Sequence, residues 1–292
     1  MEYLHPHGSL DTDRTPRLLI TVHGIRTFGA WQERLEQKLR GETEEAVEVY
    51  HYRYGFFTFL AYIIPIFRWL ATKRFQDELL EKTSSRAWSR IDIIAHSFGA
   101  HLVGWSLLRL PKSRRPLIHT IIFAGSVLRD TFPVRELVSN SVRRLVNDCG
   151  LKDNVLLINQ IFVLLTGMAG RIGLVGMEGE SFCNRYFDLG HSGYFQVATD
   201  SGRPDFMSEY WIPLLLSNSG ISRHDEREGK GINDLTTFLL RTAEPIKLVI
   251  YIAPILALLY YVNHLRVEAR NEAVAALKAQ AYAQDQAAAA KR

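Results

Sequence analysis

The chain lacks the devices that staple a small fold or hold a metal. Its 292 residues contain two cysteines, Cys149 and Cys183, in unlike settings and without metal-ligand spacing. Neither a disulfide framework nor a thiolate metal site is therefore expected, and no cofactor is called for. Charge of one sign is also scarce: 35 Lys and Arg against 31 Asp and Glu leave a formal charge of +4. No ribbon of basic and aromatic residues runs along the chain, so a nucleic-acid partner is not expected, whereas mild attraction to anionic headgroups is compatible with the charge. There is no internal repeat. The N-terminus, Met1-Glu2-Tyr3-Leu4-His5-Pro6, is followed by polar residues and lacks the pattern of a signal peptide. The expected location of the soluble part is accordingly the reducing cytoplasm.

What is present is apolar and alternating. Hydrophobic residues make up 47% of the chain, enough for the core of one large domain. Short β-branched runs alternate with helical patterns, which implies an α/β class with a mostly parallel sheet and helices on both faces. Residues 1–16 read as an N-terminal segment and 17–216 as that domain.

Within it, Ile91-Asp92-Ile93-Ile94-Ala95-His96-Ser97-Phe98-Gly99 is a buried-type strand that stops at a serine between two small residues. A helical pattern from Phe98 to Leu110 follows at once. A serine on such a turn is pushed out of the sheet, and the helix N-terminus beside it favours developing negative charge. Upstream, Arg17-Leu18-Leu19-Ile20-Thr21-Val22 reads as another strand, running into His23-Gly24-Ile25-Arg26 ahead of a helix with Trp31, Leu35 and Leu39. A glycine there lets the chain turn its amides toward a neighbouring site, so the amides of Ile25 or Arg26, with that of Phe98, are candidates for an oxyanion hole. His23, Gly24 and His96 would line it.

These two segments resemble an α/β-hydrolase of the serine esterase or lipase type, with the His-Gly after that family's third strand and the serine elbow after its fifth. The form is short, since the first two family strands have almost no room before Arg17. The resemblance implies the order serine, acid, histidine, with no metal or organic cofactor. Leu117 to Phe123 reads as the next core strand, and Arg144 to Asp148 as the one after it. Asp153 resembles the family acid in its Asp-x-Val setting, while Asp148 lies closer to the strand end; both stand as candidates. His191, bracketed by Gly190 and Gly193 after a short strand, is the candidate general base for Ser97. His5, His7, His51, His101, His119, His224 and His264 are read as structural or surface residues.

Two apolar stretches fall outside a plain soluble hydrolase. Phe56 to Phe67 has no polar face and follows a strand from Val47 to Arg53. It is too short to span a bilayer, so 54–70 reads either as a lid-like or interfacial insertion, with Arg68 and Lys73 at headgroup level, or as a helix buried against the sheet. Leu248 to Val262 is uncharged and reaches roughly 22 Å at about 1.5 Å per residue, short of the ~30 Å hydrocarbon layer unless its flanks contribute. Pro254 is tolerated in lipid, and tyrosines lie toward both ends, so 246–264 is the expected membrane helix. Basic residues flank it evenly and do not orient it. Residues 217–245 read as a hinge and connecting helix. The Ala-rich 265–292 reads as a helical tail or linker, suited to self-association or to a further domain.

The expectation is a membrane-associated serine hydrolase acting on a lipid or other acyl ester through an acyl-enzyme on Ser97. The alternative is a catalytically idle hydrolase fold serving as a membrane-anchored interaction or effector module, part of a larger signalling protein, because fold alone does not guarantee hydrolysis.

Overall fold

The computed structural model describes residues 15–25, 29–53, 59–197, 205–218, 220–228 and 234–289. Six strands form one all-parallel sheet: β1 (Arg17–Val22), β2 (Val47–Tyr52), β3 (Arg90–His96), β4 (Ile118–Ala124), β5 (Val142–Gly150) and β6 (Phe182–Phe187). Their order is β2-β1-β3-β4-β5-β6. The helices are α1 (Ala30–Glu42), α2 (Phe59–Ile63), α3 (Pro65–Ser84), α4 (Phe98–Arg109), α5 (Val134–Val138), α6 (Asn154–Phe162), α7 (Ala169–Ile172), α8 (Ile212–Leu216), α9 (Asp234–Arg241) and α10 (Glu244–Ala289). A π-helical turn, Met207–Trp211, leads into α8.

Both faces of the sheet are apolar, as a parallel sheet requires. Leu18, Ile20 and Val22 of β1, with Ile91, Ile93 and Ala95 of β3, point into a core shared with Phe75 of α3 and Leu102 of α4. Leu19 and Ile94, one residue out of phase, enter the opposite core with Trp31 and Leu35 of α1 and Trp211. The period-2 alternation of the strands thus assigns each residue to one of two covered faces.

The strands begin on a layer of charge. Arg17 and Arg90 are register partners at the starts of β1 and β3, and both bind Asp92, at 3.2 and 2.7 Å. Arg17, Arg90 and Arg144 then donate to the carbonyls of Leu214, Leu215 and Ser217 at the end of α8. Cations there satisfy the last carbonyls of the helix and oppose its dipole.

The stretch 54–70 is only partly described, since residues 54–58 lie outside the described range. Its remainder is α2 and the first turn of α3, where Pro65 stands at the helix start. Arg68 is buried, not at headgroup level, and donates to the carbonyls of Tyr62, Ile63 and Leu164. Burying the guanidinium is tolerable because several carbonyls satisfy its donors. Ile64, Ile66, Phe67, Trp69 and Leu70 around it are exposed.

The chain divides into two compact units, Met1–Arg241 and Thr242–Arg292. The first unit includes α9, whose Leu240 carbonyl accepts from Gln160 and whose Arg241 pairs with Asp130 at 2.6 Å. The second is dominated by α10, which runs unbroken through Pro254. Its residues Glu244–Gln284 are long and apolar enough to cross a membrane, with a mean hydropathy of 1.9 over the most apolar window. Ile250, Leu256, Leu259 and Tyr260 on it are exposed.

Candidate active site

Ser97 stands between the last residue of β3 and the first of α4. Its backbone takes φ 55° and ψ −118°, a conformation a non-glycine residue holds only when its surroundings enforce it, at a cost of about 1–3 kcal/mol. Here the enforcement is local. The Ser97 amide donates to the Ala124 carbonyl of β4 at 2.9 Å. Gly99 packs so closely on β1 that a Cβ would sit 2.5 Å from the Val22 carbonyl oxygen. Gly24, just past β1, lies against the serine, where a Cβ would come within 2.9 Å of Ser97 Cβ.

His191 reaches the serine from the loop after β6. Its Nε2 lies 3.1 Å from Ser97 Oγ, and its Nδ1 lies 2.7 Å from Asp153 Oδ2. A carboxylate beside Nδ1 selects the tautomer with the proton on Nδ1, leaving Nε2 to accept from the hydroxyl. Asp153 is fully buried and divides its oxygens: Oδ2 faces His191, while Oδ1 accepts from the Leu156 amide at 3.0 Å as the N-cap of α6. A capping aspartate cannot rotate freely, so the helix fixes the carboxylate that orients the imidazole.

The other candidate acid, Asp148, is placed differently. It is buried within β5, and both oxygens are taken by Arg185, at 2.6 and 2.9 Å. Trp211 Nε1 donates to it as well, at 2.9 Å. Its side chain points into the sheet's other partners rather than to His191, because its position in the strand commits it to the register neighbour Arg185.

The lining residues also have defined places. His96 is fully buried, and its Nε2 donates to the backbone carbonyl of His191 at 2.9 Å. The two rings lie 4.7 Å apart. Burial, and secondarily the nearby His191, push the His96 pKa well down, so it stays neutral. His23 Nδ1 donates to the Gly24 carbonyl at 2.5 Å, and burial lowers its pKa too. Ile25 follows Gly24 in a turn, and Phe98 opens α4 with its ring against Tyr62 of α2. Arg26 lies outside the described residues. Among the described residues no cluster of His, Cys, Asp and Glu is arranged to hold a metal.

Sequence reasoning did not foresee the tether from His96 to His191, which depends on a loop of irregular backbone. It also did not read Asp153 as a helix cap, although an aspartate directly before the apolar run of α6 carries that signature.

The parallel six-stranded sheet, with the serine elbow after its third strand and the histidine loop after its last, is the fold of the α/β-hydrolase superfamily. No protein-family model matches the chain, and no curated protein matches it in sequence. Solved structures similar to it include a gene lin2722 product of Listeria innocua, with a TM-score of 0.45 and 11% identity over 72% of this chain and 97% of that one. Another is esterase PE8, with a TM-score of 0.40 and 15% identity over 64% of this chain and 87% of that one. A third is the esterase Pf2001 of Pyrococcus furiosus, with a TM-score of 0.38 and 12% identity over 69% and 81% of the two chains.

Proposed function

We propose that the chain is a membrane-associated serine hydrolase that cleaves a carboxylic ester, with a lipid or other acyl ester as its substrate class. The observation that carries this reading is the relay from Ser97 Oγ through His191 to Asp153, with contacts of 3.1 and 2.7 Å on a serine held at positive φ. His191 Nε2 takes the hydroxyl proton as Ser97 Oγ bonds to the ester carbonyl carbon. The amides of Phe98 and Ile25 would receive the tetrahedral oxyanion. On collapse, the bond to the leaving alkoxide breaks and the imidazolium returns the proton to it. Water then repeats the sequence on the acyl-enzyme, giving its proton to His191 and its oxygen to the acyl carbon, which frees the acid and restores Ser97. Asp153 keeps the ring oriented and offsets the imidazolium charge throughout.

The membrane part of the reading rests on α10. Because the helix continues beyond both ends of 248–262, residues 246–264 at about 1.5 Å each supply roughly 28 Å, close to the ~30 Å hydrocarbon layer. Its apolar side chains are exposed, and hiding such surface contributes roughly 25 cal/mol per Å².

A fluorophosphonate probe tests the chemistry. It should label the wild-type chain at Ser97 and leave Ser97→Ala unlabelled, with hydrolysis of a short acyl ester lost in the same variant. A wild-type chain that neither reacts with the probe nor turns over esters would remove the hydrolase reading in favour of a non-catalytic membrane-anchored module.

A further inference from the structure

Phe98, His101, Trp105 and Arg109 recur at helical spacing along α4 and stand in one row. The Phe98 and His101 rings stack at 5.5 Å, His101 and Trp105 lie 6.3 Å apart, and the Arg109 guanidinium lies 5.9 Å from the Trp105 ring centre. His101, Trp105 and Arg109 of this row form one wall of a cavity of about 390 Å³. Arg68 and Trp69 of α3 and Arg129 of the loop after β4 help to close it. None of Ser97, Asp153 and His191 lines it.

The lining carries three arginines and no carboxylate. Arg68 is held by backbone carbonyls, but among the described residues Arg109 and Arg129 have no acidic partner. His101, 7% exposed, has no hydrogen-bond partner among the described residues. Burial, with Arg68 and Arg109 nearby, lowers its pKa to about 3, so it is a neutral ring with one donor and one acceptor. Arg109 and Arg129 are exposed and His101 lines the cavity, so the donors of all three are available to a ligand that enters it rather than engaged by carboxylates of the protein. Guanidinium forks match phosphate oxygens in shape and charge. The rim is apolar: Trp69 and Leu165 line the cavity while remaining exposed, and Ile66, Phe67 and Leu70 extend the exposed surface along α3. An anion carried on an apolar body fits both features, whereas a free anion leaves the rim unexplained.

We propose that this cavity binds the phosphate of an anionic phospholipid, with Arg109, Arg129 and His101 on its oxygens and Trp69 and Trp105 against its glycerol and first acyl carbons. The inference goes beyond the hydrolase reading, because it assigns a second site that binds whether or not Ser97 reacts.

The test titrates the full chain, in neutral detergent and with Ser97→Ala to keep the lipid intact, by calorimetry and tryptophan fluorescence. The probes are dihexanoylphosphatidic acid, dihexanoylphosphatidylcholine, glycerol 3-phosphate and inorganic phosphate. Saturable binding of the phosphatidic acid is expected, at least about tenfold tighter than that of each other probe. Arg109→Gln with Arg129→Gln should weaken it at least about tenfold, and Arg129→Gln alone, at an exposed position that cannot unfold the chain, at least about threefold. Unchanged affinity in these variants, or no saturable binding, overturns the proposal. Equal affinity for glycerol 3-phosphate or inorganic phosphate overturns the lipid assignment in favour of a free phosphate site. With Ser97 intact, Arg129→Gln should hydrolyse a short soluble ester at the wild-type rate, so failure of this site and failure of the hydrolase reading are separately visible.

Discussion

Asp148 and Asp153 are both buried near the end of β5, yet their surroundings give them opposite roles. Asp148 neutralises Arg185 inside the sheet. Asp148→Asn leaves that guanidinium without its charge partner, and a loss of about 3–5 kcal/mol is expected, visible as a lowered melting temperature. Asp153→Asn should act chiefly on turnover. An amide in that place favours the wrong histidine tautomer, and kcat is expected to fall by about 10³–10⁴ while thermal stability drops by no more than about 1–2 kcal/mol for the weakened cap. The two variants, measured side by side for melting and ester hydrolysis, separate the residues cleanly. Gly24→Ala offers a second check at this scale. Its Cβ would stand 2.9 Å from Ser97 Cβ, so the serine must shift, and kcat should fall by about 10² or more with the fold retained, as circular dichroism would report.

At the scale of elements, the site is held by pieces that begin or end beside it. β3 delivers Ser97, the α6 cap fixes Asp153, and His96 ties the loop of His191 back to β3. Because His96 acts through the His191 carbonyl, His96→Phe should lower kcat more than it raises KM, with a loss of about tenfold expected for a loosened loop. A change confined to KM would show that the tether does not position the base. At the opposite end of the strands, Arg144 donates to the last carbonyls of α8. Arg144→Met removes those donors from a buried place, and about 1–3 kcal/mol of stability should be lost with ester turnover per folded molecule unchanged.

At the scale of the whole molecule, buried neutral histidines set the response to acid. Burial is the largest cause of the lowered pKa of both His96 and His101, the latter to about 3. Each binds a proton in the unfolded chain below about pH 6.5 and excludes it when folded. Stability from this source is therefore full above pH 6.5 and falls as pH drops through that value toward the folded pKa. His101 alone contributes up to about 1.4 kcal/mol per pH unit between about pH 6 and 4, and His96, His23 and His119, whose pKa values are also lowered by burial, add to the slope with the same sign. Urea melts across that range would measure it, and His101→Gln should lower the slope by up to about 1.4 kcal/mol per pH unit. The exposed α10 makes the other prediction. The full chain should partition with membranes and resist a carbonate wash, whereas a chain ending at Arg241, where the first unit ends, should be recovered in solution with Ser97 still reactive. A full chain that stays soluble and monomeric would show that α10 is not an anchor.

The parallel sheet, the serine turn and the uncharged run of α10 were legible in the sequence because each is written locally. Alternation of apolar residues assigns strand faces, small residues around Ser97 permit the turn, and a long uncharged stretch makes an apolar helix whatever surrounds it. The choice between Asp153 and Asp148 was not local. It depends on Arg185 arriving beside Asp148 from β6 and on His191 arriving beside Asp153 from the following loop. Arg68 likewise reads as a surface cation next to exposed aromatics, and only the carbonyls of Tyr62, Ile63 and Leu164, brought together by α2, α3 and the end of α6, make its burial possible. Local pattern decides which element a residue belongs to. What a buried charge does is decided by its partners, which come from distant parts of the chain and are brought to it only when the tertiary structure has formed.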